Sequence, residues 1–210
     1  MRRLFDIAVA STVLAATAPL LVATAGLVRW RIGGPALFRQ TRTGLDGRPF
    51  TILKFRTMRD AFGPDGEPLP DGARLTKLGK VLRDLSIDEL PNLLNVLRGD
   101  MSLIGPRPLV DDYRTLYSVR QWRRHEVKPG LTGWAQVNGR NSLSWDEKFE
   151  CDVWYVENRS WRLDLAILLR TVACVVTRDG ISMKGAATVH RFEGAASDTR
   201  LATTLTAGAA

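Results

Sequence analysis

The feature that most constrains this chain is a long apolar run near its N-terminus. No charged residue occurs from Ile7 to Val28, a stretch of about twenty residues, which is the length of a membrane-spanning helix. Pro19 lies in the middle of the run and removes one helical hydrogen bond. Positive charges flank the run on both sides, at Arg2 and Arg3 before it and at Arg29, Arg31, Arg39 and Arg42 after it.

Three topologies fit this run. A signal peptide would be removed after Ala18 or Ala25, a single span would cross the bilayer once, and a re-entrant hairpin broken at Pro19 would return to the side it entered. Positive flanks prefer the cytoplasm, and both flanks here are positive. The charges therefore favour the re-entrant path, in which the Thr17 hydroxyl helps to satisfy carbonyls freed near the proline.

The charge balance restricts the partners. Among 210 residues, 30 Lys and Arg stand against 22 Asp and Glu, giving a net charge of +8. This excess predicts an acidic partner, either nucleic acid, anionic lipid or a phosphorylated substrate, and the apolar run decides against nucleic acid. The length allows one domain with its own core. Cys151 and Cys174 are interpreted as thiols of a reducing compartment, and the isolated His125 and His190 disfavour a zinc site.

The segment SIDELPNLLNVLRGDMSLIGPRP, from Ser86 to Pro108, places two acids at the start of a predicted short helix. Pro91 is tolerated only in a first turn, which puts the helix start near Asp88, and Gly99 ends it. The core-facing stripe consists of leucines at helical spacing, namely Leu90, Leu93, Leu94 and Leu97.

The acids of this segment have a structural and a chemical interpretation. Asp88 as an N-cap, or Ser86 and Glu89 as a capping box, would be purely structural. Capping needs only one carboxylate and no arginines, whereas this segment is crowded by Arg83, Arg98 and Arg107. Magnesium is commonly held by one or two carboxylates together with substrate phosphates, so the pattern also suits a phosphate-binding metal site.

Several further elements are predicted. Leu37 to Thr43 and Phe50 to Met58 form a hairpin turning at Asp46-Gly47, with Lys54 and Arg56 on one face of the second strand. A solvated face is the commoner role for such cations. The remaining predictions are a helix over 75–85, a basic interfacial helix over 113–127 and an amphipathic helix over 163–176 in which Asp164 is a cap.

Read together, these strings resemble the bacterial sugar transferase family, the small monotopic phosphoglycosyl transferases that begin glycoconjugate assembly. Beyond the acidic segment, the resemblance is carried by LFRQTRTGLDGRPFTILKFRTM, KPGLTGWAQVNGRN and WDEKFECDVWYVENRSWRLDLAILLRT, and it extends from about Arg2 to about Gly194. It implies an α+β, mainly helical fold with a re-entrant anchor (1–30), a catalytic domain (31–194) with interfacial helices and a small β-hairpin around one active site, and a disordered tail (195–210). The family breaks its anchor at Ser-Pro, where this chain has Ala18-Pro19.

The resemblance also implies roles for individual residues. Asp88 is the nucleophile and a magnesium ligand, and Glu89 supports the metal or handles protons. Four cations face phosphates, namely Lys54, Arg83, Arg107 and Arg140. The nucleotide end of the donor meets Asn138, Gly139 and Arg140, and Asp152 is a secondary acid near the site that orients an arginine.

The activity implied by the resemblance is transfer of a sugar 1-phosphate from a UDP-sugar, expected to be an N-acetylated amino sugar, to polyprenyl (undecaprenyl) phosphate. UMP leaves, and the reaction is ping-pong through a covalent aspartyl phosphosugar at the cytoplasmic face of a bacterial inner membrane. Two alternatives are a basic membrane-surface binding protein without chemistry and an exported protein. The residues do not specify the sugar, the polyprenyl length or the oligomeric state.

Overall fold

The computed structural model describes residues 1–139, 142–177 and 191–194. The proposed tail lies outside these residues, as does Arg140. Helices and strands alternate along the chain in the order α1 (Arg2–Arg31), β1 (Leu37–Thr43), β2 (Pro49–Phe55), α2 (Asp71–Arg74), α3 (Lys77–Asp84), α4 (Leu93–Arg98), β3 (Ser102–Ile104), α5 (Val119–Trp122), β4 (Gly130–Thr132), α6 (Trp134–Val137), α7 (Trp145–Asn158) and α8 (Trp161–Thr177). A 3₁₀ helix, Ile87–Asn92, joins α3 to α4; we call it the acidic turn.

Helix α1 is one continuous helix of 30 residues with Pro19 inside it. The predicted break at Pro19 is therefore not an interruption of the helix, because a proline removes a single hydrogen bond while the flanking turns keep theirs. The Thr17 hydroxyl donates to the carbonyl of Val13 at 2.7 Å, not to that of Ala15, whose partner the proline removes. Within the described residues, α1 alone is long and apolar enough to cross a membrane, with a mean hydropathy of 1.9 over its most apolar window.

Both halves of α1 lie against the same folded body. Ala10, near the start, is fully buried in the core cluster that contains Val96 of α4. Val28, near the end, is fully buried with Phe55 and Leu82. The opposite face is open, and the side chains at its two ends and middle are more than 70% exposed, namely Leu4, Val22 and Trp30. One face of the helix is therefore buried in the core near each end, at Ala10 and at Val28, while the other face exposes apolar surface.

Polar side chains in the first turns of α1 hold it to the domain. The Arg3 guanidinium donates to the carbonyl of Val96 and, at 2.7 Å, to that of Leu97, at the C-terminal end of α4 where carbonyls lack helical partners. The buried Asp6 carboxylate accepts from the backbone N–H of Leu103 at 3.2 Å. The charged side chains of Arg3 and Asp6 thus form hydrogen bonds with the backbone of the folded domain.

Asp164 does not cap α8 as predicted. Its buried carboxylate accepts hydrogen bonds from Arg2 at 2.9 Å and from the Tyr155 hydroxyl at 2.7 Å. The capping contact comes from Ser160, whose hydroxyl accepts from the N–H of Leu163 at 3.2 Å. Asp164, the fourth residue of α8, instead connects α8 to α1 through its contact with Arg2.

The predicted hairpin is confirmed. β1 and β2 pair antiparallel with Leu37 opposite Phe55, although β2 ends there and not at Met58. Asp46 and Gly47 both adopt left-handed backbone conformations, with φ of 53° and 73°, as a tight reversal requires.

The free edge of β2 is covered by two amide side chains. Asn92, at the end of the acidic turn, accepts from the backbone N–H of Leu53 at 3.0 Å. Asn95 of α4 donates to the carbonyl of Thr51 at 2.7 Å. Side chains thus satisfy strand groups that would otherwise lack partners, and they attach the acidic turn to the strand that carries Lys54.

The segment 113–127 is not the single interfacial helix that was predicted. It consists of short turns, because Ser118 starts a new helix with a capping box. Its arginines are also paired: Arg120 contacts Glu150 at 2.8 Å, and Arg123 contacts Glu157 of α7. These cations therefore bind the neighbouring helix.

We expect Asn92→Ala to lower the free energy of unfolding by about 1–3 kcal/mol, because it leaves the buried N–H of Leu53 without an acceptor. Asn158→Ala is the matched control, since that exposed amide contacts only the carbonyl of Trp154 in its own helix and should change stability by at most about 0.5 kcal/mol. Thermal unfolding in detergent measures both, and equal losses would contradict the bracing role of Asn92.

Candidate active site

The acidic turn presents two adjacent carboxylates, and neither acts as a helix cap. Ser86, which precedes the turn, has a left-handed backbone with φ of 55° and makes no side-chain capping bond. The Asp88 residue is only 8% exposed. Glu89 turns away from Ser86 and toward the hairpin. The structural interpretation of these acids is therefore wrong, and their burial requires another explanation.

Glu89 is neutralised by two cations. Its Oε1 accepts from Lys54 Nζ at 2.6 Å and from Arg107 Nη2 at 2.6 Å. Burial by itself would raise the pKa of Glu89, but Arg107 and Lys54 hold it well below its usual range. Glu89 is therefore ionised at every physiological pH and is held in place by charge-assisted bonds.

Asp88 is in the opposite electrostatic situation. Burial, followed by repulsion from Glu89, raises its pKa from 3.8 to about 6, against the attraction of Lys54, Arg83 and Arg107. In the described part of the chain, its carboxylate accepts no hydrogen bond. An unpaired carboxylate with three nearby cations can attack an electrophile or bind a metal, and its charge is accommodated near neutral pH.

Two further cations, Arg83 of α3 and Arg56 of the KFRTM string, differ in their surroundings. Arg83 lies close enough to act on the charge of Asp88 while its Nε donates to the Thr57 hydroxyl at 3.1 Å. Arg56 pairs with Asp60 at 2.7 Å on the protein surface. Arg56, which the sequence placed on one strand face with Lys54, thus pairs with the carboxylate of Asp60, four residues further along the chain.

Asp152 contacts the site through an intermediary. The residue is 3% exposed and binds the buried Arg124 at 2.8 Å. Arg124 in turn donates to the backbone carbonyl of Arg107 at 2.6 Å. The geometry places Asp152 behind the loop that carries Arg107.

Asn138 and Gly139 follow α6 and lie apart from the acid pair's cavity. The Asn138 amide donates to the carbonyl of Trp134 at 2.8 Å and accepts from Arg170 at 3.0 Å. Gly139 has φ of 133°, which favours glycine. Neither residue lines the cavity described next.

A cavity of about 50 Å³ lies on the Glu89 side of the acid pair, and of its four charged residues sequence reasoning missed Arg42 as a site residue. It is lined by Arg42, Ile52, Lys54, Glu89, Asn92, Met101, Arg107, Pro108, Leu109, Gly130 and Leu131. Arg42 could have been found from the hairpin register. Because Arg42 lies opposite Phe50, and Lys54 opposite Phe38, Arg42 and Lys54 point to one face of the sheet.

The acid pair can be tested for its fit to magnesium. No group of three or more His, Cys, Asp or Glu able to hold a metal occurs among the described residues, but Mg²⁺ commonly takes one or two carboxylates and completes its shell with waters and substrate phosphates. Asp88, whose carboxylate accepts no hydrogen bond from a described residue, offers such oxygens. Glu89 Oε2 has only a long contact of 3.5 Å to Arg107. The donor set therefore fits.

An acid pair surrounded by cations, with Asp88 buried and Glu89 half-buried, suits the binding and chemistry of phosphate groups. Comparison with known proteins gives the family: the chain belongs to the bacterial sugar transferases, since the model of that family, described as Bacterial sugar transferase, matches residues 1–178. The enzyme class is phosphoglycosyl transferase, and the enzyme is membrane-associated.

Three relatives illustrate the similarity. The chain is 55% identical over 194 residues to an uncharacterized sugar transferase, EpsL, of Bacillus subtilis, covering 92% of this chain and 96% of the relative. It is 45% identical to a UDP-glucose:undecaprenyl-phosphate glucose-1-phosphate transferase of Caulobacter vibrioides, covering 85% and 70%. It is 39% identical to a UDP-N-acetylgalactosamine-undecaprenyl-phosphate N-acetylgalactosaminephosphotransferase of Aeromonas hydrophila, covering 86% and 44%.

The raised pKa of Asp88 predicts a pH-dependent stability difference. Because the folded state holds this proton more tightly than the unfolded state, the stabilisation is complete below pH 3.8 and is lost as pH rises through about 6, a loss of about 3 kcal/mol. Asp88→Asn lacks this loss. In EDTA, the melting temperature of Asp88→Asn minus that of the wild type should therefore increase between pH 4 and pH 6 and stay constant above pH 6. Parallel curves would contradict the assignment.

Proposed function

We propose that this enzyme transfers a sugar 1-phosphate from a UDP-sugar to polyprenyl phosphate, releasing UMP and giving polyprenyl-diphosphate sugar. The observation that carries the proposal is the contrast inside the acid pair: Glu89 is neutralised by Lys54 and Arg107, while Asp88 is left without a hydrogen bond from any described residue. The names of the relatives from C. vibrioides and A. hydrophila support the donor and acceptor classes.

In the first half-reaction, Asp88 is the nucleophile. One carboxylate oxygen forms a bond to the β-phosphorus of the donor, the bond from that phosphorus to the oxygen bridging to the α-phosphorus breaks, and UMP leaves with the electron pair. A covalent aspartyl phosphosugar remains, and one difficult transfer becomes two easier ones. The cations Lys54, Arg83 and Arg107 offset charge on the phosphoryl group as it moves.

In the second half-reaction, a phosphate oxygen of the lipid attacks the same phosphorus. The bond to Asp88 breaks, which restores the carboxylate and releases the polyprenyl-diphosphate sugar. Because UMP leaves before the lipid phosphate reacts, the kinetics are ping-pong. No proton is gained or lost overall when both phosphate monoesters are dianions.

Magnesium is the proposed cofactor, held by Asp88 and Glu89. When bound, it supplies charge neutralisation at the donor diphosphate and orients its oxygens. Glu89 keeps its position through Lys54 and Arg107, so this side chain also sets the distance between the two cations and the phosphoryl group. Arg140, Asn138 and Gly139 remain the proposed contacts to the nucleotide, and Asp152 positions the Arg107 loop through Arg124.

The proposed donor sugar is an N-acetylated amino sugar. One relative names UDP-N-acetylgalactosamine and another UDP-glucose, so a donor panel must contain both classes. Higher UMP release from acetamido sugars than from hexoses is the expected result.

The proposed location is the cytoplasmic face of a bacterial inner membrane, with both ends of α1 on that side. Two observations support it: both halves of α1 pack on one folded body, and the far face of α1 is apolar and open. A helix crossing perpendicular to the bilayer would draw half of its length away from the domain. The re-entrant path keeps a cytosolic donor and a lipid acceptor at one headgroup-level site.

Asp88→Asn should reduce UMP release from every donor in a panel of UDP-sugars, with undecaprenyl phosphate and magnesium, by at least about 1,000-fold, because the nucleophile is lost. The covalent phosphosugar adduct, detected by intact-protein mass spectrometry with donor alone, should disappear as well. Asp84→Asn is the control, since that nearby carboxylate pairs only with Lys80 on the surface. Full activity in Asp88→Asn would refute the mechanism.

The topology predicts equal labelling at the two ends of α1. In a Cys151→Ser, Cys174→Ser background, Leu4→Cys and Arg31→Cys should both react with an impermeant maleimide in inside-out vesicles. Neither variant should react in right-side-out vesicles. Arg48→Cys, in the hairpin turn, is the control for the cytosolic side. Labelling of the two ends from opposite sides would establish a crossing helix.

A further inference from the structure

The cavity beside Glu89 contains an arginine with no role in the scheme above. Arg42 donates from Nη2 to the Gln40 side chain at 2.6 Å. Its Nε is buried and has no hydrogen-bond partner among the described residues. A buried guanidinium nitrogen without an acceptor is costly, so the arrangement implies an acceptor that binds during function.

The charges around Arg42 point to an anion. Burial, and after it the nearby Arg107, lower the pKa of Arg42 to about 10. The carboxylate within this group, Glu89, already serves Lys54 and Arg107. Lys54 and Arg107 share the Glu89 carboxylate and also act on Asp88 together with Arg83, so the four cations outnumber the two carboxylates and Arg42 adds excess positive charge to the cavity wall.

The backbone holds the two arginines in register. The N–H of Thr43 donates to the carbonyl of Leu109 at 3.2 Å, and Arg42 forms an isolated antiparallel bridge with Val110. These contacts tie β1 to the loop that carries Arg107. The guanidinium pair is thus preorganised, which lowers the entropic cost of binding a ligand between them.

The size and lining of the cavity limit the ligand. Its volume of about 50 Å³ is far below the roughly 300–1,000 Å³ of a site that encloses a whole drug-sized ligand. Besides the charged groups, the lining includes apolar side chains, namely Ile52, Met101, Leu109 and Leu131. A single phosphate group fits these properties better than a whole nucleotide sugar does.

We propose that Arg42, together with Arg107, binds a phosphate monoester dianion in this cavity. The inference deepens the proposed function, on which it rests for the source of the monoester: the acceptor lipid and the released UMP each carry one, whereas the UDP-sugar carries only a diphosphate diester. Planar guanidinium groups bind such a dianion through paired N–H donors. Arg42 would therefore recognise the ligands that enter or leave after the donor has reacted.

Arg42→Gln tests the proposal through equilibrium binding, with no turnover required. Binding of UMP and of a short-chain polyprenyl phosphate, measured separately by calorimetry in detergent, should weaken by about 10- to 100-fold for at least one of them. Arg42→Lys should recover part of the loss, because charge returns without the planar fork. Arg39→Gln is the matched control: it lies on the same strand with an exposed side chain, on the opposite face.

The two ligands distinguish the source of the phosphate. Weakened binding of the lipid phosphate alone identifies the acceptor, weakened UMP binding alone identifies the leaving nucleotide, and weakening of both indicates a shared site. If Arg42→Gln binds both ligands as tightly as Arg39→Gln does, the proposal is overturned. If Arg42→Gln does not fold, Arg42→Lys takes its place, and binding of both ligands by Arg42→Lys as tight as that of the wild type overturns the proposal. Failure of the proposed function is a separate result, the absence of UMP release by the wild type from any UDP-sugar.

Discussion

The site depends on the ion cluster in which Lys54 and Arg107 share the Glu89 carboxylate. Two adjacent buried carboxylates repel each other, and removing charge from water is expensive. By placing both cations on Glu89, the fold keeps that acid ionised and leaves Asp88 next to it without a hydrogen bond from the described residues. The same cluster joins three separate parts of the chain: the β2 strand, the acidic turn and the loop after β3.

Helix α1 and the candidate active site share one framework. Arg3 binds the end of α4, and α4 continues directly from the acidic turn, which Asn92 fastens to β2. The position of α1 is therefore coupled to that of Asp88, because hydrogen bonds and direct chain continuity connect them. This coupling gives a structural role to the hydrogen-bonded charges of Arg3 and Asp6 in the first turns of α1.

Local signals in the sequence were sufficient where chemistry is local. The Asp46-Gly47 turn predicted the hairpin, and Gly99, with a left-handed φ of 95°, ends α4 as expected. Predictions failed where a distant partner decides. The 113–127 segment has the charge pattern of an interfacial helix, yet carboxylates of α7 pair with Arg120 and Arg123. Arg42 was overlooked because its importance depends on the neighbouring Arg107 loop, far along the chain.

The sequence by itself determined that this chain has an apolar helix with positive flanks, an acid pair among arginines and the motifs of its family, because each is a property of contiguous residues. Only the tertiary structure decided which acid is neutralised. Asp88 and Glu89 are neighbours of similar chemistry, and they differ because Lys54 and Arg107, from other segments, reach one carboxylate and not the other. Burial and long-range Coulomb interactions are set by the packing of the whole fold.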